Sequence, residues 1–253
     1  PGPWIVVEHA PVSQLTRLAE LLTHGVHLPD GTVTLARSGT FHGQRGRTWR
    51  AAPGNVQLVV HLGVDLPVTE VQAGLTVLPA VALAETIDAM AGDRMVHLKW
   101  INDVTWNDAK VAGVLTRTDV VGSRVRSVRF GIGVNVAHAP ELPADAAALP
   151  AAALAHAHPA FAFDGAWAAL VTQLVPRLAH HRDALRAGAG GALVDRYRSY
   201  AGFLGREVTI WPSDPSHASR PLARGRVSEL RSDLTLVVEG HATPIRTGRM
   251  RYG

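Results

Sequence analysis

The order of strand-like and helix-like segments most constrains the fold of this 253-residue chain. Over the first 200 or so positions, short β-branched runs and helical stretches follow one another without strict alternation and without a repeat. Strands are predicted at 5–7, 32–35, 56–64, 95–101, 110–117 and 124–136, and helices at 12–23, 69–91, 163–186 and 191–202. This order favours an α+β fold, with a mixed or antiparallel central sheet and flanking helices, over a doubly wound parallel sheet.

The character of the sequence changes after Gly205. Strand-like runs at 207–211, 222–229, 233–239 and 243–247 are separated by turn residues about every ten positions. This spacing is typical of a small antiparallel β-barrel. We therefore predict two domains, residues 1–203 and residues 204–253, the second being the barrel.

Composition excludes several classes of function. The chain has no cysteine, which excludes thiol catalysis, disulfides and zinc–thiolate sites and is consistent with a reducing, cytoplasmic compartment. The longest apolar stretch, 70–92, carries Glu70, Glu85 and Asp88, so it predicts a buried or amphipathic helix rather than a membrane span. No positively charged start precedes an apolar core, so we expect neither a signal peptide nor a membrane partner.

The cations of the chain point towards anionic partners. The formal net charge is +4 at pH 7, which favours nucleotide phosphates, nucleic acid or an acidic protein. Only two of the 25 Lys and Arg side chains are lysines, Lys99 and Lys110, and they fall in one segment. Either they lie together by chance, or both occupy places where a compact ammonium is needed and a planar guanidinium does not fit.

A glycine- and arginine-rich segment, residues 37–55, is predicted to be a loop between two strands. Its centre reads Gly39-Thr40-Phe41-His42-Gly43-Gln44-Arg45-Gly46-Arg47-Thr48-Trp49. Glycines let backbone N–H groups approach an anion, arginines bind phosphate or carboxylate, and tryptophan offers a flat face to a base. The segment predicts a nucleotide or nucleic-acid site, and the alternative is an exposed basic loop.

A second candidate motif lies where the strand at 95–101 ends. Lys99 is followed by Asn102 and Asp103 at the end of this strand. An amide can pair with an adenine edge, and a carboxylate can hold a ribose hydroxyl or a metal-bound phosphate. The structural alternative is an ordinary turn capped by these side chains.

Two further strands carry unusual residues. Lys110 begins an otherwise apolar strand that contains Gly113, and it is either solvated or aimed into a cleft. Gly131 and Gly133 alternate in the next strand, which leads into Asn135. Alternating glycines permit close approach of a ligand, although a packing constraint is an equal alternative.

In their order and spacing, these segments resemble the motifs of the biotin–protein ligase family. A basic glycine-rich loop with a tryptophan is followed by Lys-Trp-x-Asn-Asp, Lys-x-Ala-Gly-x-Leu and Gly-x-Gly-x-Asn. The resemblance covers about residues 3–250 and is most specific over 99–103 and 110–115. It implies a catalytic domain of the class II aminoacyl-tRNA synthetase/biotin ligase type and an SH3-like C-terminal barrel. The DNA-binding helix-turn-helix of some members has no counterpart, so no DNA partner is expected.

The resemblance implies that the protein activates biotin with ATP and Mg²⁺ to biotinyl-5'-AMP and transfers it to a lysine of a biotin carboxyl carrier domain. It implies Lys110 and Arg47 as catalytic residues. The implied residues for biotin and the adenylate loop are Ser38, Gly39, His42, Gly43, Gln44, Arg45, Gly46 and Gly113. The implied nucleotide-binding residues are Trp49, Lys99, Asn102, Asp103 and Asn135. No metal ligand is identified, and the oligomeric state, a homodimer included, stays open.

Departures from the family pattern leave alternatives open. His42 and Gln44 stand where the family loop has arginines, and residues 9–12 stand where it has a Ser-Thr-Asn run that contacts the biotin ureido ring. Ser13 and Gln14 follow directly after that stretch. One alternative is a related ligase for lipoate or octanoate, or a ligase-like protein of reduced activity. An alternative of another class is a non-catalytic basic module that binds nucleic acid.

Overall fold

The computed structural model describes residues 2–43, 46, 48–141, 149–212 and 220–253. The strands of the first two thirds of the chain are β1 (Trp4–Ala10), β2 (Thr32–Gly39), β3 (Phe41–His42), β4 (Thr48–Trp49), β5 (Val56–Pro67), β6 (His97–Lys99), β7 (Asp103–Trp106), β8 (Ala109–Val121) and β9 (Arg124–Val134). The C-terminal strands are β10 (Glu207–Trp211), β11 (Ala223–Leu230), β12 (Leu236–Val238) and β13 (Arg249–Tyr252). The helices are α1 (Gln14–Thr23), α2 (Val68–Ala91), α3 (Leu154–Ala157), α4 (Ala166–Arg186) and α5 (Gly190–Tyr200), with a 3₁₀ turn at Pro159–Phe161.

A seven-stranded sheet is the central layer, in the strand order β1-β2-β5-β9-β8-β7-β6. Strands β1 and β2 pair in parallel, and the other neighbouring pairs of this described sheet are antiparallel. The predicted hairpin is present as β8 and β9, which turn at Gly122-Ser123. The predicted α+β fold with a mostly antiparallel central sheet is thus confirmed.

The two faces of the sheet differ because side chains alternate along each strand. In β5, Leu58 and Val60 belong to the main hydrophobic core, which α2, α4 and α5 cover from one side. Gln57 and Val59 belong to the opposite face, together with Gly131 of β9. That face is covered by α1 and by the segment after β2, and it carries the cavity described below.

Helix α2 is long and apolar enough, by length and composition alone, to cross a membrane. It is instead a core helix, since 67% of its most apolar stretch is buried inside the protein and α4 and α5 pack against it. It ends at Gly92, whose φ of +86° closes the last turn in the left-handed region. The sequence predicted this end and a buried helix.

Two predicted strands differ from the structure. Residues 5–7 are predicted as a buried strand, but β1 is the edge of the sheet, and Ile5 and Val6 are about half exposed because only β2 pairs with it. Residues 243–247 form no strand; Ile245 makes only an isolated bridge to Leu236, and the last strand is β13. Strand β7 was not predicted, because it is short and lies between two turns.

The C-terminal strands form a four-stranded antiparallel sheet in the order β12-β11-β10-β13, where the small barrel is predicted. The indole nitrogen of Trp100 donates to the carbonyl of Leu234 at 2.9 Å, and Arg206 makes two 2.8 Å bonds to Asp108. One continuous hydrophobic core includes side chains from both sheets. The division at residue 203 therefore stays a prediction about folding units.

Candidate functional site

A cavity of about 260 Å³ lies on the face of the large sheet that is opposite α2, α4 and α5. Its floor is one row of residues in register across four strands: Gln57 of β5, Gly133 of β9, Gly113 of β8 and Asp103 of β7. The two middle residues have no side chain, which leaves room over the backbone for the side chains of Trp49 and Lys110. We call this row the floor row; it is a trough with a polar side chain at each end.

Both lysines of the chain converge on Asp103. Lys110 Nζ lies 2.6 Å from Asp103 Oδ1, and Lys99 Nζ lies 3.3 Å from Asp103 Oδ2. Burial by itself would raise the pKa of Asp103, but the two ammonium groups hold it well below its ordinary range. The carboxylate offsets one of the two positive charges, so this lysine cluster favours an added anion.

Trp49 covers the middle of the trough. A Cβ built on Gly133 would lie 2.4 Å from the indole Cε2 of Trp49, so only glycine leaves room for the ring. Lys110 Nζ lies 5.5 Å from the centre of the same ring. The indole nitrogen is buried and has no hydrogen-bond partner in the described part of the chain. The ring thus lies between the lysine cluster and Gln57.

A second row beside the floor row is apolar. It consists of Val59, Gly131 and Leu115 in register, and Leu15 of α1 lies against the open position at Gly131. A Cβ on Gly131 would lie 2.6 Å from Leu15 Cδ1, so the glycine makes the close approach of α1 to the sheet possible. This row forms an apolar slot next to the trough.

The start of α1 adds polar groups to the slot. Ser13 and Gln14 both line the cavity and are 8% exposed. Gln14 Nε2 donates to Thr34 Oγ1 at 3.2 Å, which holds the amide in place. Ser13 and Gln14 thus reach the cavity where α1 begins, whereas residues 9–12, which stand at the place of the family's polar run, do not line it.

Two asparagines are held to the backbone of β8. Asn102 Nδ2 donates to the carbonyl of Val114 at 3.0 Å, and Asn135 Nδ2 lies 3.4 Å from the carbonyl of Lys110. The amide oxygen of Asn135 is buried and has no protein partner within the described ranges. It is therefore oriented to accept a hydrogen bond from a ligand.

The cavity brings together most of the predicted residues. Those that line it are His42, Gly43, Trp49, Lys99, Asn102, Asp103, Lys110, Gly113 and Asn135. Ser38 and Gly39 do not, because they end β2 at its pairing with β1; Ser38 Oγ donates to the Glu8 carbonyl at 2.8 Å. Gly46 does not line it either. The predictions for Gln44, Arg45 and Arg47 lie outside the described residues.

The sequence analysis did not identify cavity-lining residues in two parts of the chain, β5 and the C-terminal end. Gln57 lines the cavity, and its signal is a lone amide within an otherwise apolar strand, Val56–Val60. Gly248, Arg249 and Met250 line it from the C-terminal end of the chain. No local pattern marks these three, because their role depends on how the small sheet packs on the large one.

The described residues of this site do not form a set of ligands for a metal ion. Asp103 is the one carboxylate among the described residues that line the cavity, and both of its oxygens face lysines. No group of three or more His, Asp or Glu residues in the described ranges is arranged around a common point. The residues present therefore do not fit a resident divalent metal.

The fold is an α+β fold that resembles the fold of solved biotin protein ligases. The chain superposes on biotin protein ligase from Aquifex aeolicus in complex with biotin and ATP with a TM-score of 0.74, covering 99% of this chain and 98% of that one. The two sequences are 20% identical, so this likeness concerns the fold.

The sequence comparisons match part of the chain to the same class of enzyme. Residues 24–135 match the model of the biotin/lipoate A/B protein ligase family. It is 38% identical over 110 residues to the bifunctional ligase/repressor BirA of Bacillus spizizenii, covering 43% of this chain and 33% of that protein. It is 37% identical over 122 residues to biotin–[acetyl-CoA-carboxylase] ligase of Mycobacterium tuberculosis, covering 44% and 42%. The aligned segments thus span less than half of these relatives.

Proposed function

We propose that this protein is a biotin–protein ligase that uses ATP to activate biotin and transfers it, in the cytoplasm, to a lysine of a biotin carboxyl carrier domain. The observation that supports this most is the cavity, in which an apolar slot runs beside the floor row and the cluster of Lys99, Asp103 and Lys110 lies at one end of that row. The slot suits the carbon chain of an acid, and the cluster suits its carboxylate.

The first step requires two anions to meet. An oxygen of the biotin carboxylate attacks the α-phosphorus of ATP, the bond to the bridging oxygen breaks, and pyrophosphate leaves. Lys110 offsets the repulsion between the two anions, since its ammonium lies at the end of the glycine floor. Asp103 positions both ammonium groups, and the pair retains enough positive charge to attract the substrates.

The nucleotide would lie over Trp49 and beside Asn135. An indole provides a stacking face for adenine, and the free amide oxygen of Asn135 can accept from its amino group. Arg47, Arg45 and the glycines of the basic loop are proposed to bind the phosphates. Mg²⁺ is proposed to arrive bound to ATP, because its usual partners in nucleotide sites are phosphate oxygens and water.

In the second step, the neutral amine of an acceptor lysine attacks the carbonyl of biotinyl-5'-AMP. The bond from that carbonyl to the phosphate oxygen breaks, AMP leaves, and the new amide nitrogen releases a proton to solvent. The net charge of +4 favours a carrier domain with acidic residues around its lysine.

Acid-dependent release of pyrophosphate tests this proposal. The protein is incubated with ATP, Mg²⁺ and either biotin, lipoate or octanoate, and we expect release with biotin. Release that prefers lipoate or octanoate would overturn the biotin assignment and keep the adenylation chemistry. No release with any acid, together with salt-sensitive binding of nucleic acid, would instead support the non-catalytic binding module.

A further inference from the structure

Gln57 is the residue of the cavity with two unpartnered atoms. It is 3% exposed, and neither its amide nitrogen nor its amide oxygen has a hydrogen-bond partner within the described ranges. Buried amides in folded proteins are nearly always paired, because an unpaired one is destabilising. Its place on the floor of a cavity indicates that a ligand supplies the missing partners.

The position of Gln57 shows which part of a substrate reaches it. Gln57 is at one end of the floor row, and the lysine cluster is at the other. Two inter-strand spacings of about 4.8 Å separate β5 from β8, so the backbone of Gln57 lies about 10 Å from that of Gly113 across the sheet. A Cβ built on Gly113 would lie 3.0 Å from Lys110 Nζ, so the ammonium of Lys110 is beside Gly113. Because Trp49 covers the middle of the floor row, an acid reaches Gln57 through the apolar slot beside that row. An acid about 10 Å long whose carboxylate is at Lys110 therefore has its distal end beside Gln57.

The neighbours of Gln57 describe the rest of that substrate. Val59, Leu115 and Leu15 surround the slot next to it and favour an aliphatic chain. An amide side chain offers N–H donors and an acceptor oxygen side by side. A cyclic ureide offers the complementary carbonyl and N–H groups, whereas a dithiolane ring or a methyl end offers neither.

We propose that Gln57 is a specificity-determining residue whose amide pairs with the ureide of the acid and selects it over acids with an apolar end. The inference rests on the proposed function, because it uses the same cavity and the same carboxylate position. It also explains how the cavity recognises a ureide when residues 9–12 hold no side chain of the family's polar run.

The variant Gln57→Met tests the proposal, since methionine keeps nearly the same length and removes both hydrogen-bonding groups. Isothermal titration calorimetry measures Kd for biotin, dethiobiotin, octanoate and ATP. Dethiobiotin keeps the cyclic urea (the ureide) of biotin and lacks its sulfur. We expect Kd to rise about 10- to 100-fold for the two ureides and to stay the same or fall for octanoate. Gln173→Met, an exposed position on α4, is the matched control and should change none of the four.

Three results would overturn the proposal. The first is that Gln57→Met binds biotin with an unchanged Kd. The second is an equal loss of affinity for octanoate, which would indicate a structural role for Gln57. The third is a loss of affinity for ATP alone, which would place Gln57 at the adenine edge. Failure of the proposed function looks different. If the wild-type protein binds biotin through Gln57 but releases no pyrophosphate, the ligase assignment is wrong and this inference stands. If the wild-type protein binds no acid, both are wrong.

Discussion

At the scale of single residues, the site depends on one carboxylate and on two glycines. Asp103 holds Lys99 and Lys110 together, so an anion meets an oriented pair of ammonium groups rather than two mobile side chains. Gly113 and Gly133 leave the floor open for Trp49 and for a ligand. The presence of lysine rather than arginine at these two positions thus has a structural reason: two compact charges fit on either side of one buried carboxylate.

The first prediction concerns Lys110. Replacing it with alanine is expected to lower biotin-dependent pyrophosphate release by about 10²–10³-fold, because one preorganised charge beside the reacting anions is lost. Lys110→Arg should recover only part of this activity, since a planar guanidinium is bulkier beside Gly113 and Asp103. Near-normal turnover of Lys110→Ala would remove Lys110 from its proposed role.

The second prediction concerns Gly133. In Gly133→Ala the new methyl group occupies the space of the Trp49 indole, so the ring must move and the KM for ATP should rise by about tenfold. Gly191→Ala on α5 is the control, because no atom lies within 4 Å of its added Cβ. That variant should keep its KM and gain about 0.5–1 kcal/mol in stability. An unchanged KM in Gly133→Ala would show that Trp49 does not contact the nucleotide.

At the scale of elements, the helical layer is held by one carboxylate that joins three helices. Glu85 of α2 lies 2.8 Å from His181 Nε2 of α4 and 2.7 Å from Arg196 Nε of α5. Burial by itself would raise the pKa of Glu85, but the bonds from His181 and Arg196 lower it to about 2. The layer that supports the sheet from behind is thereby stabilised by charge as well as by apolar packing.

This network predicts a pH-dependent contribution to stability. The pKa of Glu85 is about 2 in the folded protein and 4.5 in the unfolded chain. A pKa lowered by folding means that the ionised carboxylate stabilises the fold above pH 4.5, and this stabilisation is lost as the pH falls towards 2. Glu85→Gln should therefore lower the free energy of unfolding by about 1–3 kcal/mol at pH 7, and its difference from wild type should shrink between pH 4.5 and 2. Urea titrations across this range measure both quantities. The exposed carboxylate of Glu229 provides the control Glu229→Gln, and a difference that does not depend on pH would contradict the assignment.

At the scale of the whole molecule, the small sheet is part of the site. Met250 and Arg249 of β13 line the cavity, and Trp100, which also lines it, bonds to Leu234 of the C-terminal region. One hydrophobic core continues from the large sheet into the small one. The two predicted domains are therefore expected to unfold together.

The test is thermal and chemical unfolding followed by several probes. Tryptophan fluorescence and far-UV circular dichroism should give coincident curves, and calorimetry should give one transition. Met250→Ala should lower the stability of the whole by about 2–4 kcal/mol, because Met250 is 2% exposed in the shared core. Leu222→Ala, at an exposed position nearby, should change it little. Two separate calorimetric transitions would instead support independent domains at residue 203.

The sequence by itself determined the fold class, most of the elements and many of the residues that line the cavity. The fold class, helix α2 with its end at Gly92 and the hairpin of β8 and β9 follow from periodicity and turn residues, which act between near neighbours. The sequence motifs likewise singled out several residues of the site, namely the two lysines, Trp49 and the glycines of β8 and β9.

Only the tertiary structure decided how these parts meet. The floor row exists because four strands pair in one register, and register is set by contacts across the sheet that no local pattern records. For the same reason the sequence did not single out Gln57, predicted β1 to be buried, and did not predict that β13 lines the cavity. Local periodicity is recorded in neighbouring residues, but a site built from eight strands and a helix is determined by how they pack.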